Sequence, residues 1–89
     1  MKLYINIFWH KNESIIIRAY KDMVGAMNDT CDINDLYYVE SLGQYFDFSE
    51  DLSDINIDID KYIKDTLDIL NNAKIDYVIF HNDYKKTHQ

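Results

Sequence analysis

The sequence predicts an α+β domain: an antiparallel β-sheet of four to five strands with one amphipathic helix, about residues 60–73, packed on one face. Three observations predict it. Leu3, Ile5, Ile7 and Trp9 alternate with Lys2, Tyr4, Asn6 and Phe8 at the period of two that marks a strand. Ile55, Ile57 and Ile59 interleave with Asp54, Asn56, Asp58 and Asp60 in the same way. Ile63, Leu67 and Leu70 recur at i, i+4 and i+7, which lays apolar side chains along one stripe of a helix. A ferredoxin-like β-α-β-β-α-β order is the alternative, reached if residues 14–28 are helical.

The first strand ends at the polar break His10-Lys11-Asn12-Glu13. Residues 14–20 then close a hairpin, because three consecutive isoleucines suit a sheet better than a helix. A helix there would instead line up Ile16, Tyr20, Met23 and Met27 behind a Ser14 N-cap. A strand to Tyr20 followed by a helical turn through Met23 and Met27 reconciles both patterns. Residues 28–35 carry the Asn, Asp and Thr of a loop. Residues 36–41 and 44–48 are the next strands, with Gly43 as a turn or bulge between them, and 49–53 read as a polar connector. The Ile/Asp alternation over 54–60 reads as a strand with carboxylates outward. Asp58 or Asp60 caps the helix, Lys61–Asp65 and Lys64–Asp68 form i,i+4 pairs, and Tyr62, Thr66, Ile69 and Ala73 widen its stripe. Asn71-Asn72 stops it. Residues 75–81 make a final strand, and 82–89 a polar, frayed end.

The 89 residues allow one domain, residues 1–89, and one core. With 47% hydrophobic and 15% aromatic residues the chain is no disordered acidic tail. No stretch approaches the roughly 20 apolar residues of a membrane span, and the short apolar start lacks a signal-peptide cleavage pattern. Cys31 is the sole cysteine, which excludes an internal disulfide framework and fits a reducing compartment, so the cytoplasm is expected.

Chemical motifs are sparse. Two glycines cannot build a phosphate-cradling loop. One Cys with His10, His81 and His88 matches no zinc spacing. Asp54-Ile55-Asn56-Ile57-Asp58 opens like a calcium loop, but Ile59 stands where that loop needs Gly and Asp65 where it needs Glu. We therefore expect no metal, no cofactor and no enzymatic activity.

Charge is the informative feature. The formal net charge is −7, which argues against direct binding of nucleic acid or an anionic membrane. From Asp22 to Asp60 eleven of the sixteen acidic residues occur with no Lys or Arg, so this stretch nets −11 and the two ends +4. Ordinary surfaces intersperse the signs, and like charges so concentrated repel one another. Tyr37, Tyr38, Tyr45, Phe46 and Phe48 lie in the same stretch, and exposed Tyr beside carboxylates suits a surface that meets a basic protein.

The chain also resembles the cloacin-type immunity family, whose members protect bacteriocin producers from their own ribonuclease. The resemblance starts at Met1-Lys2-Leu3 and runs through Phe8-Trp9-His10-Lys11 and Ala19-Tyr20-Lys21-Asp22. It is closest at Val39-Glu40-Ser41-Leu42-Gly43-Gln44-Tyr45-Phe46 and closes on Asp76-Tyr77-Val78-Ile79-Phe80. These runs cover about a third of the chain in order. The long helix and additional residues around 28–38 depart from the family pattern. The resemblance implies inhibition by a steric and electrostatic plug.

The resulting expectation is an immunity protein or antitoxin, a monomer that binds a basic toxin, a nuclease domain, in a 1:1 complex over its cationic active site. Asp32, Asp35, Glu40, Asp47, Glu50, Asp51, Asp54 and Asp58 would make the contact, with Tyr38 and Tyr45 as anchors. The alternative is a phage-encoded acidic nucleic-acid mimic that blocks a restriction or CRISPR effector, with carboxylates on every second strand residue imitating a phosphate row.

Overall fold

The computed structural model describes residues 1–53 and 56–84. Strands β1 (Lys2–His10) and β2 (Ser14–Tyr20) form the expected hairpin, with Tyr4 opposite Tyr20 and His10 opposite Ser14. Asn12 takes the left-handed φ of 66° at its tip, which Asn tolerates better than most residues. Helix α1 (Met23–Asn28) follows directly, so the strand-then-turn reading of 14–28 holds and the ferredoxin-like order does not. The small hairpin β3 (Tyr38–Val39) and β4 (Gln44–Tyr45) comes next, then β5 (Asp47–Asp51), helix α2 (Ile59–Asn72) and β6 (Asp76–Asn82).

The four long strands make one sheet in the order β5-β2-β1-β6, with α2 packed against it. The architecture is the α+β one expected, but the sheet is mixed: β6 runs parallel to β1, whereas β2 is antiparallel to both its neighbours. The reason is α2. It carries the chain from the edge strand β5 to the opposite edge, and such a crossover returns the chain in its original direction. Fourteen helical residues span about 21 Å, enough to cross three strand spacings of about 4.8 Å.

Leu3, Ile5, Ile7, Ile15, Ile17 and Ala19 project from one face of the sheet and are buried under α2, whose Leu70 is fully enclosed with Phe46. Each such aliphatic side chain contributes roughly 1.5–3 kcal/mol by burial. Tyr62, Ile63, Leu67 and Ile69 pack around them. On the other face α1 covers Tyr20, and Leu36 completes a second cluster with Ala26. Asn6 is buried beneath α1, where its Nδ2 donates to the Ala26 carbonyl at 2.8 Å and ties the helix to the sheet.

Several sequence expectations need correction. Residues 49–51 are not a connector but the end of β5, held by pairing to Ile15 and its neighbours; Leu52 N–H donates to the Glu13 carbonyl. Of the strand expected at 54–60, Asp54 and Ile55 lie outside the described residues, and 56–60 are not strand. Asp58 caps α2 there, its side chain accepting from Lys61 N–H at 3.1 Å, and Ile59 is already helical. Ala73, placed in the helix stripe, is exposed at the C-cap. Of the frayed end expected over 82–89, Asn82 closes β6 and Tyr84 is buried, with its ring edge-on to Trp9 at 5.3 Å, while 85–89 lie outside the described residues.

The stop of α2 has a specific geometry. Ile75 N–H donates to Leu70 C=O and Lys74 N–H to Asn71 C=O, the paired bonds of a Schellman motif. Lys74 occupies its left-handed position with φ 58°, where glycine is the unstrained residue.

Candidate protein-binding surface

Between β2 and β5 the chain leaves the sheet to build a small hairpin whose Val39 is buried in the core. Tyr37 N–H donates to Ala19 C=O, Phe46 N–H to Tyr37 C=O and Ala19 N–H to Phe46 C=O, so the hairpin base is stitched to the end of β2. β3 and β4 continue from this base, with Tyr38 opposite Tyr45 and their rings edge-to-face at 5.0 Å. Residues 40–43 form the tip. Leu42 and Gly43 N–H both donate to Val39 C=O, and Gly43 adopts φ +67°, which closes the turn. The tip presents Leu42, 48% exposed, beside Glu40, while Tyr38 is exposed on its flank and Tyr45 is half-buried against the cluster around Tyr20.

Adjoining the hairpin, β5 forms the acidic edge of the sheet. Asp47 and Asp51 point to the α1 side, four residues and about 13 Å apart. Phe48 and Glu50 point to the α2 side, where Phe48 packs edge-on to Phe46 and Glu50 remains exposed. Asp51 Oδ1 accepts from Ser53 N–H at 2.9 Å, and that bond holds its carboxyl below the usual carboxylate range. Burial, helped by the nearby Glu50 charge, raises the Tyr62 phenol.

The third acidic element is the loop from Asp29 to Asp35. Arg18 reaches it from outside the acidic stretch: Nη1 donates to Asp29 at 2.8 Å and Nε to Asp47 at 3.0 Å. Burial would lower the guanidinium pKa, but the fields of Asp47 and Asp29 outweigh it and the net shift is upward. The Tyr20 hydroxyl donates to the other Asp29 oxygen and accepts from Cys31 N–H at 3.3 Å. Burial first, and that donation second, push the Tyr20 phenol well up. Asp29 also ends α1, in left-handed conformation at φ 44°.

The structure therefore sorts the predicted contact residues by their local roles. Asp32 and Asp35 cap turns, accepting from Asn34 N–H at 2.8 Å and from Thr30 Oγ1 at 2.9 Å. Asp58 caps α2, and Asp47 is half-neutralised by Arg18. The carboxylates of Glu40 and Glu50 accept no hydrogen bond from a described residue, and both residues stand exposed with Asp51. Asp54 lies outside the described residues. Sequence reasoning missed Leu42 as an exposed apolar contact, although an isolated Leu-Gly within the polar turn Glu-Ser-Leu-Gly-Gln was its signal. It missed Ile33 as well, 59% exposed inside the acidic loop.

Among the described residues no group of three His, Cys, Asp or Glu side chains is placed to hold a metal ion, and no helix is long and apolar enough to cross a membrane. No protein-family model, no curated protein and no solved structure matches this chain.

Proposed function

We propose that the chain is a stoichiometric protein inhibitor, an immunity protein or antitoxin, that lays the β3–β4 hairpin and the β5 edge over the cationic site of a basic toxin of the nuclease type. The observation that carries this reading is that the hairpin with exposed Tyr38, Glu40 and Leu42 leads through Phe46 directly into β5, whose Asp47, Glu50 and Asp51 are exposed along the sheet edge. Apolar side chains at the centre of an interface limit dissociation, and complementary charge speeds encounter toward about 10⁸ M⁻¹s⁻¹ at low salt. The nucleic-acid-mimic reading draws on the same carboxylates but has less support, because residues 56–60 offer no strand-borne row to imitate phosphates.

The test is capture of partners from the source cell on the immobilised chain at about 50 mM salt, with elution at about 500 mM, where surface attraction is largely screened. A strongly basic protein should elute. With that protein in hand, the triple variant Glu40→Lys, Glu50→Lys, Asp51→Lys should slow association at least severalfold and leave the circular dichroism unchanged. An association rate insensitive to both salt and the triple reversal would refute the electrostatic reading.

A further inference from the structure

The two edges of the sheet are built on opposite principles. A strand edge offers unpaired N–H and C=O groups to any other strand, and folded chains blunt such edges with charge. The β5 edge is blunted in this way by Asp47, Glu50 and Asp51. The β6 edge is not. Between Asp76 and Asp83 it carries no charged Lys, Arg, Asp or Glu, and Val78, Ile79 and Phe80 are 40%, 39% and 39% exposed in succession. Among the described residues no strand pairs with its outer side. The β6 register also skips Phe80 between Ile79 and His81, and this irregularity leaves one more apolar ring uncovered.

The apolar strip extends onto α1, which touches β6. Gly25 faces Tyr20 and Asp35, and residues 23 and 27 lie about 160–200° around the helix from it, turned away from that contact. Those residues are Met23 and Met27, both exposed.

We infer that two copies of this chain pair through β6, antiparallel about a two-fold axis near Ile79, to make one continuous eight-stranded sheet. Charge selects the second copy as occupant. Within a chain of net −7, the segment Tyr77–Asn82 that would pair carries no carboxylate, and the nearest acids, Asp76 and Asp83, flank it. A basic partner is drawn to the other edge, whereas a second acidic copy meets least repulsion here. With Ile79 on the axis, Tyr77 faces His81 of the partner subunit and Val78 faces the partner's Phe80. Asp76 then stands six residues, about 20 Å, from its own mate, and faces the partner's Asn82. The nearest acid of the other copy, the partner's Asp83, follows that residue and in its own chain accepts from Trp9 N–H. A β5 pairing would instead set carboxylate against carboxylate. Closure by a two-fold leaves both β5 edges outward, so each chain keeps its acidic surface and the expected monomeric 1:1 complex becomes a two-to-two assembly.

Sedimentation equilibrium on the full chain at about 10–200 µM and near-physiological salt tests the pairing. The expected mass is twice 10.7 kDa. Ile79→Lys should raise the dimer dissociation constant at least tenfold, while Asp51→Lys on the opposite edge leaves it unchanged. If I79K loses its circular dichroism, Val78→Lys at the rim carries the same expectation. A wild-type chain that stays at 10.7 kDa throughout overturns the inference. So does a dimer that both lysine variants leave intact, a dimer broken by D51K, or an assembly larger than two.

Discussion

Replacing Arg18 by Met should remove the one cation that, among the described residues, is ion-paired to the acidic stretch 22–60, while keeping an unbranched aliphatic stem. Two charge-assisted hydrogen bonds disappear, Nη1 to Asp29 at 2.8 Å and Nε to Asp47 at 3.0 Å. Fully buried, such bonds are each worth about 1.5–3 kcal/mol. Here the side chains are 17%, 28% and 38% exposed, so water compensates the freed carboxylates in part and about 1 kcal/mol per bond is the better figure. Repulsion among Asp29, Asp47 and their acidic neighbours adds to this, for a total of about 2–3 kcal/mol. For a domain of this size that corresponds to a fall in Tm of roughly 10–20 °C. Urea unfolding followed by Trp9 fluorescence at two salt concentrations measures it. Asp47→Asn should cost about 1 kcal/mol, and the double variant should show coupling between the two residues. Added salt should restore part of the Arg18→Met loss by screening the uncovered carboxylates. A loss below about 0.5 kcal/mol, or no coupling, would refute the idea that Arg18 holds the acidic loop and β5 together.

Two further outcomes follow from the same structure. Lys74→Gly should stabilise the domain by about 1 kcal/mol, since the Schellman position at φ 58° strains any residue with a Cβ, and thermal unfolding reads this directly. Tyr20, Tyr62 and Tyr84 are all raised above the ordinary phenol value, in each case by burial first and carboxylate neighbours second. A folded pKa above the unfolded value of about 10 means that their stabilising contribution is complete below about pH 10 and is lost as pH rises through the folded values. Stability measured across the alkaline range should therefore fall above about pH 10, and ultraviolet titration should find late-ionising phenols that become ordinary in urea. Stability rising with pH in that range would contradict the assignment.

The β1–β2 hairpin and α2 were legible because local chemistry and tertiary demand coincide there. β-Branched alternation meets a buried face in Ile15 and Ile17, and the Lys61–Asp65 and Lys64–Asp68 pairs form at 2.6 and 2.9 Å. Residues 56–60 misled because their period-two pattern competes with an N-cap. Asp58 bonding to Lys61 N–H and Asp60 in the positive first turn favour helix by electrostatics that no apolar pattern records. Ser49, Glu50 and Asp51 have poor strand propensity and become strand only because β2 offers a free edge. The charge segregation was real in sequence, yet Arg18, 11 residues from Asp29 and 29 from Asp47, crosses into it. Distances of that kind exist only after folding.

The place of β6 also bears on when the domain can exist. β1 lies inside the sheet, between the second strand of the chain and the last described one. At a synthesis rate of about 5–20 residues per second, roughly 3–11 s separate completion of β2 from the start of β6. During that interval one side of β1, with Leu3, Ile5 and Ile7 along it, has nothing to pair with. The nascent hairpin must wait for β6, exposed to proteases and to other unfinished copies. The seconds between β2 and β6 are therefore as much a part of this fold's physical demands as the finished sheet.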